Sequence, residues 1–263
     1  MHRHIYISVV SHGHSDWIIK LKALERLQCC ESISVLCRDN LGESRLSEYC
    51  EEFGITYIKN NKPYGFAKNN NLNYQAALEI GLQPQDYFLL YNPDIDISNE
   101  AISQLVCACE SGSFELATVN LFLNARRSCY DDNLRLYPEL STFFKNYLLK
   151  DRSTVVDKEN LTKLSNIDYW ASGAFLLFKA ELYQQLEGLD ETYYLYCEDI
   201  DICKRALKLG HRIEFFSSIE AIHYRQCKSR KFLSREFFLH VESILKYSLA
   251  KWNLRSFKSG LVK

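Results

Sequence analysis

Short apolar, β-branched runs alternate with longer stretches of helical spacing through the first half of the chain. The runs are Ile5–Val10, Ile33–Cys37, Ile55–Ile58 and Tyr87–Tyr91. Between them, Asp16–Gln28 and Asn71–Gly81 return Leu, Ile or Ala at helical intervals, as a helix with one buried face requires. Strand and helix in alternation predict an α/β domain with a parallel sheet. Ligands of such sheets gather beyond the carboxyl ends of the strands. The residues there are polar: Ser11-His12-Gly13-His14, Arg38-Asp39-Asn40, Asn60-Asn61-Lys62 and Asn92-Pro93-Asp94-Ile95-Asp96. Each alone has the composition of an ordinary turn, but four on one rim point to a site.

Periodicity fades from about Cys129 to Leu164, which reads as a loop and short-helix insertion over the sheet edge. Order returns in Asp168–Phe178, a strand-like segment whose Ser172-Gly173-Ala174 centre lacks bulk and would let a ligand or another backbone come close. Tyr193–Cys203 then leads into an amphipathic helix that Gly210 would cap. Ile213–Phe216 and Ala221–Tyr224 read as strands, and Phe232 to about Trp252 as a long helix. No internal repeat, low-complexity tract or flexible linker interrupts the chain.

Composition narrows the class. With 263 residues, 47% of them hydrophobic and 25% charged, the chain has enough apolar material for a sizeable core and is far from a disordered composition. No apolar run approaches the roughly 20 residues that cross a bilayer, and Met1-His2-Arg3-His4 leads straight into a strand. A cytoplasmic protein without a secretion signal is expected. The ten cysteines are scattered without paired CxxC spacing and read as reduced, mostly buried thiols. Charge is uneven: Arg225–Lys263 holds ten Lys and Arg against two Glu, a net of +8, within a chain of net −1. That end would attract a polyanion, whether nucleic acid, an anionic membrane or a diphosphate.

Three constellations carry candidate chemistry. Asn92-Pro93-Asp94-Ile95-Asp96 follows a buried-looking strand with two alternating carboxylates; Mg²⁺ or Mn²⁺ takes one or two such oxygens and completes its shell with phosphate and water. A plain turn with an N-cap explains the same residues. Glu198-Asp199-Ile200-Asp201 opens a helix, where acids favour the macrodipole without any catalytic duty. His223, after Ala221-Ile222, is a metal ligand or a hydrogen-bonded core residue. A dinucleotide-dependent oxidoreductase would show GxGxxG after the first strand and a P-loop enzyme GxxxxGK[ST]; neither is present. A metal nuclease could use the same acids but leaves Gly65–Asn71 unexplained.

Tyr64-Gly65-Phe66-Ala67-Lys68-Asn69-Asn70-Asn71, Asn92-Pro93-Asp94-Ile95, Trp170-Ala171-Ser172-Gly173-Ala174-Phe175 and Tyr196-Cys197-Glu198-Asp199-Ile200-Asp201, in this order, carry a resemblance. From about Ile5 to Arg235 the chain resembles glycosyltransferase family 2, and within it the rhamnosyltransferases of O-antigen synthesis. The resemblance implies a GT-A fold: a mostly parallel central sheet flanked by helices, in a domain of residues 1–224. A basic, amphipathic helical extension over 225–263 would pack on it. It further implies transfer of a sugar from a nucleoside diphosphate with inversion, here L-rhamnose from dTDP-L-rhamnose to a lipid-diphosphate-linked GlcNAc. Ser11, Gly13 and Asp39 would receive the nucleoside, with Gly65, Asn70 and Asn92 beside ribose and diphosphate. Asp94 and His223 would hold Mg²⁺ or Mn²⁺. Asp199 would be the base with Glu198 beside it, and Trp170, Gly173 and Ala174 would face the acceptor. Where the family often writes more acids, this chain has Asn92-Pro93-Asp94, which weakens the expectation for Asn92 and leaves Asp96 as a structural residue. The expected setting is the cytoplasmic face of the inner membrane, with peripheral contact to anionic lipid and no nucleic acid. A UDP- or GDP-sugar donor, or an inactive GT-A assembly module, is the alternative.

Overall fold

The computed structural model describes residues 3–139, 142, 152–160, 167–225, 235–251 and 254–261. The alternating runs become β1 (Ile5–Ser11), β2 (Ile33–Asp39), β3 (Thr56–Lys59) and β4 (Tyr87–Tyr91), and they pair in parallel in the order β3-β2-β1-β4. The helices between them are α1 (Ser15–Leu21), α2 (Ala23–Gln28), α3 (Ser44–Glu52) and α4 (Phe66–Glu79). The expected Asp16–Gln28 helix is broken because Lys22 takes a left-handed φ of 55°.

Beyond β4 the sheet continues through β9 (Phe175–Lys179), β6 (Leu116–Phe122), β10 (Glu214–His223) and β5 (Ile95–Ile97). β9 is antiparallel to both β4 and β6, β10 is parallel to β6, and β5 is antiparallel to β10. Every residue of β4 and β6 is buried, as strands covered on both faces require. One face packs Ile7, Val35, Leu89 and Val119 into a core with α5 (Asn99–Ser111). The other packs Leu36, Phe88, Leu90 and Leu176 with α4 and α6 (Ala180–Gln185). α7 (Glu198–Lys208) adds Ile202, Cys203 and Ala206 to this second core.

Three expectations are revised. Asp168–Phe178 is two strands, because the small Ser172–Ala174 centre is a turn between β8 (Tyr169–Ala171) and β9. The insertion contains β7 (Leu134–Leu136), which pairs antiparallel with β8; three residues are too few to show a period. The two strands expected over 213–224 are one, β10, with a bulge between Phe216 and Glu220 that interrupts the apolar alternation. The C-terminal helix is described as α8 (Arg235–Lys251), so its expected start at Phe232 lies outside the described residues. The chain after it returns to the domain: Leu261 joins the second core and the Arg255 guanidinium pairs with buried Asp190.

Candidate active site

Parallel register brings the polar ends of β1, β2 and β3 together: Ser11 lies opposite Asp39, and Asp39 opposite Lys59. Backbone bonds continue the ladder past the strands, from Asn40 N–H to the Ser11 carbonyl (3.0 Å) and from Asn60 N–H to the Asp39 carbonyl (2.9 Å). Ser11 Oγ accepts from His14 N–H at 3.2 Å and reaches Glu43 Oε2 at 3.5 Å, while Ser15 Oγ donates to Glu43 Oε1 at 2.7 Å. Glu43 therefore ties down the loop in which Gly13 turns with φ 80°. Asp39 is fully buried, and its carboxylate accepts from Leu41 N–H, Glu43 N–H and Tyr57 Oη at 2.8, 2.6 and 3.0 Å. In this conformation it orders the 41–43 turn, so a base would reach it only if that turn moved.

Gly65 and Asn70 also have reasons within the fold. A Cβ on Gly65 would lie 2.4 Å from the Tyr194 carbonyl oxygen, and Phe66 N–H donates to that same oxygen at 3.0 Å. The glycine thus lets the Tyr194 backbone approach the start of α4. Asn70 is buried, accepting from Ser8 Oγ at 2.6 Å and donating to the Phe66 carbonyl at 2.9 Å. Its amide braces α4 against β1. Nearby, Arg38 donates to Asn73 and Asn60 at 2.8 and 3.0 Å, and burial lowers its pKa to about 10.

A charged line crosses the other end of the rim. Because β5 pairs antiparallel with β10, with Ile95 opposite His223, Asp94 meets the end of β10. His223 Nε2 is 3.2 Å from Asp94 Oδ1, and its Nδ1 is 2.6 Å from Asp131 Oδ2. The Arg225 guanidinium grips Asp131 from the far side through Nε (3.1 Å) and a second nitrogen. Asp94, Asp131 and His223 are all buried. Burial works against a charged imidazole, but the hydrogen bonds it donates to Asp131 and Asp94 outweigh it and raise the His223 pKa to about 9. Burial likewise opposes ionisation of Asp131, and His223 with Arg225 reverses this and keeps its pKa low.

This donor set fits a hard divalent ion. Asp94 Oδ1 and His223 Nε2 are 3.2 Å apart, near enough that both would reach one ion. Asp131, bonded to Nδ1, would orient the imidazole if Nε2 held an ion. Among the described residues no cluster of three or more His, Cys, Asp or Glu could hold a metal, so substrate oxygens and water would have to fill the remaining positions.

Glu198 and Asp199 open α7, after Tyr196 and Cys197 in left-handed conformations with φ 73° and 68°. Strain of this kind collects where a chain aims functional groups. Asp199 accepts from Gly173 N–H at 3.1 Å and from Ile200 N–H at 2.9 Å. Desolvation raises its pKa, opposed by those N–H groups and by the positive charge of Arg135. Glu198 is buried with no partner for Oε2 among the described residues, and desolvation with the Asp199 charge holds its pKa well above the carboxylate range. Gly173 is confined by Phe66, 3.2 Å from a would-be Cβ. Ala174 is buried and its carbonyl accepts Asn92 N–H at 2.8 Å, while Trp170 Nε1 donates to the Leu136 carbonyl at 3.1 Å. The Ser172–Ala174 turn therefore bonds to Asn92, two residues from Asp94, and to Asp199. Asp96 stands apart and pairs with Arg26.

The chain is 34% identical over 251 residues to rhamnosyltransferase WbbL of Escherichia coli (strain K12), covering 94% of this chain and 93% of that protein. The chain belongs to glycosyltransferase family 2. This family 2 transferase is also 36% identical over 175 residues to an N-acetylglucosaminyl-diphospho-decaprenol L-rhamnosyltransferase of Mycobacterium tuberculosis (strain ATCC 25618 / H37Rv). That match covers 63% of this chain and 56% of the mycobacterial protein. No family profile matches the chain. Solved structures share the GT-A fold at low identity. The mannosyltransferase PcManGT of Pyrobaculum calidifontis, in complex with GDP-Man and Mn²⁺, aligns with a TM-score of 0.58 at 9% identity, over 95% of this chain and 65% of that one. TarS 1–349 of S. aureus in complex with UDP aligns with 0.57 at 13%, over 83% and 60%.

Within the family 2 transferase, sequence reasoning missed Asp131, Glu43 and Arg135. Asp131 lies where the insertion doubles back on β6, donating its N–H to the Leu121 carbonyl at 2.8 Å. Its sole signal in the sequence is an acid pair, Asp131-Asp132, downstream of a strand.

Proposed function

We propose that this transferase moves L-rhamnose from dTDP-L-rhamnose to a GlcNAc-diphospho-polyprenol, with inversion at the anomeric carbon, on the cytoplasmic face of the inner membrane. The observation that carries the catalytic reading is the Ser172–Ala174 turn. Its backbone joins Asp199 through Gly173 (3.1 Å) and the Asp94 loop through the Ala174–Asn92 bond (2.8 Å). A base and a cation site for the leaving group are thereby held in one frame, as a single in-line displacement requires. The rhamnose assignment rests on the likeness to both rhamnosyltransferases, and the lipid-linked acceptor on the likeness to the mycobacterial one.

Asp94 and His223 would hold Mg²⁺ or Mn²⁺. When bound, that ion supplies electrostatic stabilisation to charge growing on the leaving diphosphate. Asp131 keeps the His223 ring turned with Nε2 toward Asp94. Asp199 takes the proton of the acceptor hydroxyl as it attacks, and its raised pKa makes it a stronger base than an exposed aspartate. Glu198, buried and adjacent, holds its proton and leaves the negative charge on Asp199. Trp170 and Gly173 frame the acceptor side, while Ser11, Gly13, Asn92 and the turn ordered by Asp39 frame the nucleotide. No described helix is long and apolar enough to cross a membrane.

The test is a donor screen on purified protein with a GlcNAc-diphospho-lipid analogue. The expected result is turnover with dTDP-L-rhamnose that EDTA abolishes and Mg²⁺ or Mn²⁺ restores, with an α-linked product by NMR. Turnover with a UDP- or GDP-sugar and none with dTDP-L-rhamnose would overturn the donor. Undiminished turnover after complete metal removal would overturn the ion's role.

A further inference from the structure

α8 has two apolar faces, and among the described residues the domain covers one. On the inner face Ser243, Tyr247 and Ser248 are buried, and Tyr247 joins a small core with Tyr193, Cys197 and Ile200. Ser243 Oγ donates to the Leu195 carbonyl (2.9 Å) and Lys246 Nζ to the Thr192 carbonyl (2.6 Å). The opposite face carries Phe238, Val241, Leu245 and Leu249, which are 58%, 38%, 54% and 39% exposed. Spaced three or four residues apart, they form one stripe down the helix, and Leu254, 69% exposed, follows it. Isolated apolar residues on a surface need no explanation, but a continuous stripe on one helix marks a contact. Glu242, the acid at its edge, is paired with Lys246 at 2.6 Å.

We infer that the outer face of α8 is a docking surface for an anionic phospholipid bilayer, with the helix lying in the interface plane. Charge selects this occupant. The segment that carries the stripe, Arg225–Lys263, has ten Lys and Arg against two Glu. Arg225, Lys246 and Arg255 are paired with Asp131, Glu242 and Asp190, and the other seven include Lys228, Arg230 and Lys231, which immediately precede the helix in sequence. Basic residues beside an apolar stripe are the signature of an interfacial helix, and each basic group near an anionic surface adds attraction that salt screens. The inner face of the same helix is bonded to the Thr192–Leu195 loop, which runs directly into Glu198 and Asp199. Seating α8 on lipid would therefore bring the acceptor side of the site to the membrane surface. The inference rests on the proposed lipid-linked acceptor for its purpose, but the surface can be tested without it.

The test is co-sedimentation of the full chain with phosphatidylglycerol-containing and pure phosphatidylcholine vesicles, at low and high salt. Phe238→Ser/Leu245→Ser is compared with wild type, since both side chains are exposed and their loss spares the core. Wild type should prefer anionic vesicles and lose binding as salt rises. The double variant should bind about 100-fold more weakly, given two interfacial side chains lost, while its turnover on a short, soluble acceptor stays at the wild-type level. A Lys228→Gln/Arg230→Gln/Lys231→Gln variant should lose the preference for anionic lipid. Vesicle binding by the double variant equal to wild type would overturn the inference, as would wild type indifferent to lipid charge at low salt. A wild-type dimer that the double variant dissociates, without vesicle binding by either, would instead assign the stripe to a second copy of the chain. Salt-sensitive, stripe-dependent binding in a protein that transfers no sugar to any acceptor would leave the docking surface standing and overturn the catalytic reading.

Discussion

Replacing Asp131 by Asn removes the charge that holds the His223 imidazole protonated in the metal-free protein. His223 has a pKa of about 9 in the fold against 6.5 for the free side chain. At roughly 1.4 kcal/mol per unit this is about 3 kcal/mol of stability, shared between Asp131 and Asp94. Because the folded pKa is the higher one, the contribution is fully present below about pH 6.5 and is lost as pH rises through about 9. The substituted amide would keep an oxygen for Nδ1–H but not the charge, and would leave Arg225 without its carboxylate. The cost at pH 6.5 should be about 2 kcal/mol, or roughly 4–8 °C in melting temperature for a chain of this size. The assay is thermal unfolding in EDTA at pH 6.5, 8 and 9.5, comparing wild type with Asp131→Asn so that other titrations cancel. The gap between the two proteins should narrow steadily with pH. A gap that stays constant from pH 6.5 to 9.5 would refute the linkage, and no gap at any pH would refute the ion-pair line itself.

Since His223 is protonated at neutral pH without metal, Mn²⁺ binding at pH 7.5 should release close to one proton; titration calorimetry in buffers of different ionisation enthalpy measures it, and no release would exclude His223 as a ligand. Asp94→Ala and His223→Ala should weaken Mn²⁺-dependent donor binding, whereas Asp199→Asn should leave that binding intact and lower kcat by about 10²–10⁴-fold. A folded Asp199→Asn protein with near-normal kcat would remove Asp199 as the base. Gly65→Ala drives a Cβ against the Tyr194 carbonyl and should cost roughly 1–3 kcal/mol; denaturant unfolding indistinguishable from wild type would show that the 193–195 loop yields freely.

Local pattern alone made much of this protein legible. Strands buried on both faces, such as Tyr87–Tyr91, are apolar throughout, and a helix that buries one side repeats near 3.6 residues, which is how the stretch Asn71–Gly81 announces most of the helix Phe66–Glu79. Parallel pairing of β1 to β4 then places the polar residues that follow each strand on one rim, which is why Ser11, Asp39 and Asp94 stand out in the sequence. What each of those side chains touches is a matter of three dimensions. Asp39 and Asn70 are polar residues beside the rim, yet their side chains are engaged inside the protein, because the 41–43 turn and Ser8 reach them first. Asp131 and His223, 92 positions apart, meet only because the insertion folds back along β6 beside the end of β10. The Ser172–Ala174 turn reads as one strand in sequence and as the joint between two strands in space, since small residues permit either. The two faces of α8 likewise share one period, and only packing against Tyr193 and Cys197 decided which apolar face joins the core.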